Sequence, residues 1–200
     1  MTRGSKELVE RYFVTCGSNM SRIGRQPINI PSGVQVKVDN AQVFVEGPKG
    51  ALSEGILDGI GVDVRETSVV VTRESDSRDH RAFHGLTRTL ISNMVLGVSE
   101  GYQKTLDIVG VGYRAQQSGD GVTVNVGYSH PVEVASVEGI TLEVEGNNRI
   151  HVKGIDKQLV GEIAAQIKKI RKPNVYTGKG IRYLDEQVRL KPGKSAARAR

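Results

Sequence analysis

This 200-residue chain has a single cysteine, Cys16. One thiol cannot form an internal disulfide and cannot supply a multi-thiolate metal site, so redox chemistry is not expected and a reducing compartment is. Long hydrophobic runs are missing as well. Nothing approaches the roughly 20 apolar residues needed to span a bilayer. The first residues, MTRGSKELVERYFVTCGSN, carry only a short apolar patch around Tyr12 to Val14, too little for a secretory signal. No basic amphipathic stretch carries the aromatic anchors that hold a helix on a lipid surface. The expectation is a cytoplasmic protein with no membrane role.

What remains is an ordinary soluble composition, with 38% hydrophobic and 25% charged residues. The length suits one medium domain or two small ones. Charge is distributed unevenly. From Lys157 to Arg200 twelve basic residues face three acidic ones, so this stretch carries +9 while the first 156 residues carry −3. A solubilising surface mixes both signs; a one-sided field suits a polyanion, here RNA rather than an anionic membrane.

The order of patterns repeats. From Val34 the runs VQVKV, QVFVEG, GVDVRE and SVVVT alternate with Gly, Asn, Asp and Ser turn signals and predict an antiparallel meander. The period then changes in ESDSRDHRAFHGLTRTLISNMVLGVSEG, where Phe83, Leu86, Leu90 and Met94 predict the buried face of a helix. Asp76 or Ser77 would cap it, and Gly97 or Gly101 would end it. Beyond Tyr102, the runs KTLDIVGVGYRA, VTVNVGY, ITLEV and RIHV predict strands. DKQLVGEIAAQIKKIRK predicts a second helix, with Val160, Ile163, Ile167 and Ile170 buried. A shift of about 80 residues superimposes Ile60, Val62 and Val64 on Ile140, Leu142 and Val144. Two duplicated α+β domains are therefore expected, each an antiparallel β-sheet packed on one α-helix. Their bounds are residues 20–101 and 102–191, preceded by a disordered N-terminal extension, 1–19, and followed by a basic tail, 192–200. Tyr102 is expected to pack between the two domains.

The stretch IRKPNVYTGKGIRY concentrates the chemistry. Pro173 ends a helix whose last turn already carries Lys168 and Lys169, with Arg171 and Lys172 following at its negative dipole end. Gly178 and Gly180 would let the backbone approach a phosphate or sugar. Lys179 and Arg182 would neutralise phosphate, and Tyr176 and Tyr183 would stack on a base or ribose. Lys191 and Lys194 extend the same charge into the tail. The plain alternative is a solvated loop whose lysines balance the helix dipole.

Other motifs fail on chemical grounds. Gly110, Gly112 and Ala115 spell GxGxxA after an apolar run, but a Gly-Asp-Gly turn and another strand follow where a dinucleotide site needs a helix N-terminus. Gly178-Lys179-Gly180 has Gly where a P-loop needs a Ser or Thr for magnesium. His80 and His84 sit one helical turn apart, but no thiolate or HExxH glutamate completes a metal set, so a packing or helix-surface role is favoured. Ser129 and His130 are adjacent, which prevents the usual nucleophile and base geometry. No catalytic residue, cofactor or metal is expected.

Five strings carry a family resemblance: MSRIGRQPI from Met20, HGLTRTLISNMVLGVSEGY, GVGYRA, GIDKQLVGEIAAQIKKIRKP and YTGKGIRY. Together, from Met20 to about Gly193, the chain resembles the bacterial large-subunit ribosomal protein L-six family. The resemblance implies two duplicated α+β domains, the second binding large-subunit ribosomal RNA near the stem that carries the sarcin-ricin loop. It also implies neighbouring ribosomal proteins as partners and translational GTPases docking nearby. By similarity the RNA-facing residues are Lys168, Lys169, Arg171, Lys172, Tyr176, Gly178, Lys179, Gly180, Arg182 and Tyr183. Family members commonly read close to PxPYKGKG, where this chain reads PNVYTGKG, so Val175 replaces a proline and Thr177 leaves one position without its cation. Residues 1–19 lie upstream of the usual start. A free RNA-binding or RNA-chaperone module and an enzyme acting on a phosphorylated ligand are the alternatives that the residues alone leave open.

Overall fold

In QVFVEG, Val43 and Val45 alternate with Gln42, Phe44 and Glu46. The computed structural model, which describes residues 23–194, buries the two valines and turns the others outward. The same period-two logic builds six strands in the first part of the chain: β1 (Ile28–Asn29), β2 (Gln35–Asp39), β3 (Gln42–Gly47), β4 (Gly50–Gly55), β5 (Ile60–Val64) and β6 (Ser68–Arg73). They form two antiparallel three-stranded sheets, ordered β2-β3-β4 and β1-β6-β5, where alternation had predicted one meander. Pattern reading overlooks the two-residue β1 and also β4, GALSEG. The latter is an edge strand whose side chains are mostly exposed, so it carries no alternation, and its place comes from pairing Gln42 with Gly55 and Gly47 with Gly50. The expected extension 1–19 and the end of the expected tail, 195–200, lie outside the described residues.

Helix α1 (Arg78–Ser99) follows β6. The Ser77 hydroxyl accepts from the amide of His80 at 3.1 Å and caps it, while Asp76 instead pairs with Arg73 at 2.6 Å. Gly101, at φ 79°, ends it with its amide donating to the Leu96 carbonyl. The buried stripe is rotated from the expected one. It runs through His84, Thr87, Ile91 and Met94, whereas Leu86 is 48% exposed and Phe83 and Leu90 are half-buried. Two polar residues in the stripe explain the difference, since hydrophobicity alone passes over them. His84 is fully buried, and its Nε2 donates to the Val71 carbonyl at 3.0 Å, so it serves packing. His80 lies against the Ser75 hydroxyl at 2.9 Å.

Two compact units divide the chain, the first ending at Val95 and the second beginning at Leu96, which assigns the last turn of α1 to the second. The second unit contains β7 (Tyr102–Val109), β8 (Arg114–Ser118), β9 (Gly121–Asn125), β10 (Val132–Val134), β11 (Ile140–Glu145), β12 (Arg149–Gly154), α2 (Lys157–Ile170) and β13 (Gly180–Tyr183). Its sheets are ordered β11-β12-β7-β13 and β10-β9-β8, all antiparallel. KTLDIVGVGYRA is thus two strands broken at Gly110–Tyr113, and the region after Pro173, where the pattern predicts no strand, adds one, β13. Val160, Ile163, Ala164 and Ile167 of α2 are buried, with Ile170 half-buried at the stripe's end. They share one core with Leu106, Ile108, Ile150 and Ile181 of the larger sheet and Ala115, Val122 and Val124 of the smaller. Tyr102 packs against this core, with the Lys157 ammonium 5.6 Å from its ring centroid.

The duplication is visible at single residues. Gly59 and Gly139, 80 positions apart, hold the left-handed φ values 72° and 82°. Each precedes the isoleucine that opens a hairpin, and that isoleucine's amide donates three residues back, Ile60 to Leu57 and Ile140 to Val137. The rotated stripe of α1 makes a direct prediction. Ile91→Ala, at a site 1% exposed, should cost about 2–5 kcal/mol in urea unfolding. Leu86→Ala should cost about 0.5 kcal/mol or less. Equal costs would return Leu86 to the core.

Candidate nucleic-acid interface

Helix α2 is capped by Asp156, whose carboxylate accepts from the Gln158 amide at 2.8 Å. Its buried stripe orients the helix, and its last turn delivers Lys168 and Lys169 beside the carbonyl end, where cations are favoured. Pro173 then stops the helix and the chain doubles back. The Asn174 amide donates to the Lys179 carbonyl and the Gly178 amide to the Asn174 carbonyl, each at 2.8 Å. The Asn174 side chain accepts from the Tyr176 amide, also at 2.8 Å. Gly178 takes φ 72°, which closes the turn, and the Ile181 amide donates to the Arg171 carbonyl. Further on, the Lys191 amide donates to the Val175 carbonyl, so the chain lies along this loop as far as Lys191.

The result is an open cleft of about 500 Å³ lined by Lys169, Arg171, Lys172, Lys179, Asn174 and Thr177, with Tyr113 and Tyr128 as its aromatic wall. Among the described residues none of its four cations forms an ion pair. Tyr128 donates its hydroxyl to the Ile170 carbonyl at 2.8 Å, and the Arg171 guanidinium sits 5.2 Å from its ring centroid. The Tyr128 and Tyr113 side chains raise the Arg171 pKa further, holding it a cation.

The other expected contact residues divide. Tyr176, 60% exposed, with Lys191 and Lys194, lies open at the surface outside the cleft's lining. Lys168 is committed elsewhere: its ammonium meets both Glu186 carboxylate oxygens at 2.6 and 2.7 Å and lies 4.6 Å from the Tyr183 ring centroid. That contact holds the Glu186 carboxyl below its ordinary pKa. Tyr183 and Arg182 are half-buried in β13, and Tyr183 packs on the core rather than standing free as a stacking surface.

A sequence model of the family described as Ribosomal protein L6 matches the chain twice, over residues 30–101 and 109–184, one match for each copy of the duplicated pattern. The chain belongs to the Ribosomal protein L6 family. Among curated relatives, the large ribosomal subunit protein uL6 of Caldicellulosiruptor saccharolyticus is 57% identical over 176 residues, covering 88% of this chain and 97% of that protein. The uL6 of Clostridium acetobutylicum is 55% identical, covering 88% and 99%. That of Carboxydothermus hydrogenoformans is 51% identical, covering 90% and 100%. As a member of the Ribosomal protein L6 family the chain is a ribosomal protein and not an enzyme.

Within this L6 chain the strings that imitate nucleotide-binding motifs have other work. Gly110, at φ 157°, makes room for the Tyr113 ring, which would stand 2.6 Å from any Cβ there, and Ala115 is fully buried in the core. Tyr113 and Tyr128 are the cleft residues that sequence reasoning missed. Their signal was present as tyrosines beside glycines in GVGYRA and VNVGYSHP, but those loops join the site only through the fold.

Gly180 also changes meaning. A Cβ on it would lie 2.7 Å from the Lys172 carbonyl oxygen and from Pro173 Cα, so its lack of a side chain serves the close packing of β13 on the helix exit. Gly180→Val should therefore lower the melting temperature by several degrees before any RNA is added. Gly178→Asn, which adopts a left-handed φ tolerably and meets only Leu190 at ordinary contact distance, should shift it far less. Thermal denaturation of both variants decides the point; identical melting would refute the packing role.

Proposed function

We propose that this chain is a structural constituent of the large ribosomal subunit, in the bacterial cytoplasm, and that it holds large-subunit ribosomal RNA through the cleft at the exit of α2. The observation that carries the reading is the gathering of Lys169, Arg171, Lys172 and Lys179 on one surface with no acidic partner among the described residues. Such a surface favours a polyanion, because its lysines and arginine release the cations condensed along the phosphates they neutralise. Tyr176, Gly178, Arg182, Lys191 and Lys194 flank the contact; Lys168, Gly180 and Tyr183 chiefly build the scaffold that presents it. The relatives' name as large-subunit proteins supports ribosomal RNA over other polyanions. The family resemblance adds a finer reading, that the RNA lies near the sarcin-ricin stem. There the protein supports the region where translational GTPases dock, beside neighbouring large-subunit proteins.

Lys179 tests the electrostatic part. Binding to large-subunit ribosomal RNA should fall linearly with log salt, at a slope magnitude of order four to seven for roughly five to eight neutralised phosphates. Lys179→Ala should flatten that slope by about one unit and weaken RNA variants alike, because phosphate contacts position without specifying. Filter binding over a salt series measures both. A Lys179→Ala protein with unaltered slope and affinity would make the loop a solvated turn.

A further inference from the structure

The cleft carries an aromatic arrangement that charge neutralisation does not require. Tyr128 and His130, in the connection between β9 and β10, stack with ring centroids 6.1 Å apart and planes 15° from parallel. Both side chains are exposed, Tyr128 to 44%. We infer that this pair is a stacking platform for an unpaired nucleotide of the bound RNA, an inference that rests on the RNA-binding reading above.

Three features favour a platform over incidental surface aromatics. The first is rigidity: the Tyr128 hydroxyl is tied to the Ile170 carbonyl at 2.8 Å, so the ring is fixed to the end of α2 before any ligand arrives. A preorganised ring loses little entropy when a base stacks on it. Tyr113, in the same lining, packs closely on two glycines, since Cβ atoms on Gly110 and Gly127 would stand 2.6 and 3.1 Å from its ring. The second is charge. The Arg171 guanidinium lies over the Tyr128 ring, and Lys169, Lys172 and Lys179 line the same cleft, so a base on the aromatic pair has cations beside it for its own phosphate. The third is geometry of the ligand. A base inside a duplex exposes its edges while its faces are covered by neighbours, so an aromatic face can receive only a nucleotide from a loop, bulge or end. The platform therefore selects RNA structure, where the surrounding lysines select only charge.

His130→Ala is the informative variant, because His130 is exposed and its removal leaves the Tyr128 anchor intact. With the full-length chain and a large-subunit ribosomal RNA transcript, His130→Ala should weaken binding about tenfold, the range expected of one base–aromatic stack, and leave the salt slope unchanged. Tyr128→Phe, which keeps the ring but loses its tie to the Ile170 carbonyl, should weaken binding measurably but by a smaller factor than His130→Ala. Ultraviolet cross-linking followed by mass spectrometry should attach the peptide around Tyr128 and His130 to a nucleotide that chemical probing finds unpaired in the free RNA. Parent-like affinity for His130→Ala, or an adduct to a nucleotide in a continuous stem, would overturn the platform and leave the electrostatic reading standing. Failure of the parent chain to bind the transcript with any salt dependence would instead overturn the electrostatic reading and this inference with it.

Discussion

Where the chain leaves α2, the Ile181 amide donates to the Arg171 carbonyl, and Gly180 passes so close to Lys172 and Pro173 that no side chain fits between them. This contact turns a helix exit and an edge strand into one piece. Ile181 enters the core beside Ile108, the β13–β7 pairing follows, and the turn between Pro173 and Gly180 is held at both ends. Lys179 is thereby brought to the same cleft as Lys169, Arg171 and Lys172, which precede it on the other side of the turn. Without the contact, the charges would belong to two separate segments and their field would be diluted by motion and screened by salt.

Crowding like charges on one face is unfavourable for the free protein, and its cost has to be offset inside the fold. The helix dipole favours the cations nearest α2's carbonyl end, and the Tyr128 ring favours Arg171 from the side. Lys168 is treated differently. It is partly buried and paired with Glu186, whose second role is to accept the Tyr183 amide at 3.1 Å, so this cation locks the segment after β13 in place rather than adding to the outward field. A run that reads KKIRK therefore contains two kinds of cation, one internal and the others presented.

That distinction marks how far the sequence could be read. The duplication, the two helices and most strands were legible because apolar period and turn glycines report burial directly, as at Val43, Val45, Ile163 and Ile167. Strands β1, β4, β10 and β13 were not, because edge strands owe their existence to a partner's backbone rather than to their own pattern. The stripe of α1 was misread by one residue, since His84 and Thr87 are buried polar groups. In the cleft, Lys169, Arg171, Lys172 and Lys179 were legible from charge and proximity in sequence. Tyr113 and Tyr128 were hidden, because they reach the cleft from distant loops, and the internal duty of Lys168 depends on Glu186 folding back.

In the proposed function, the cations presented at the exit of α2 hold this ribosomal protein on large-subunit RNA. The most direct measurement is sucrose-gradient sedimentation of cell extract containing the full-length chain, beside a variant in which Lys169, Arg171, Lys172 and Lys179 are all alanine and whose melting curve matches the parent. The parent should travel with the large subunit through moderate salt while the variant remains near the top of the gradient. Co-sedimentation of the variant at the parent's level would contradict that function.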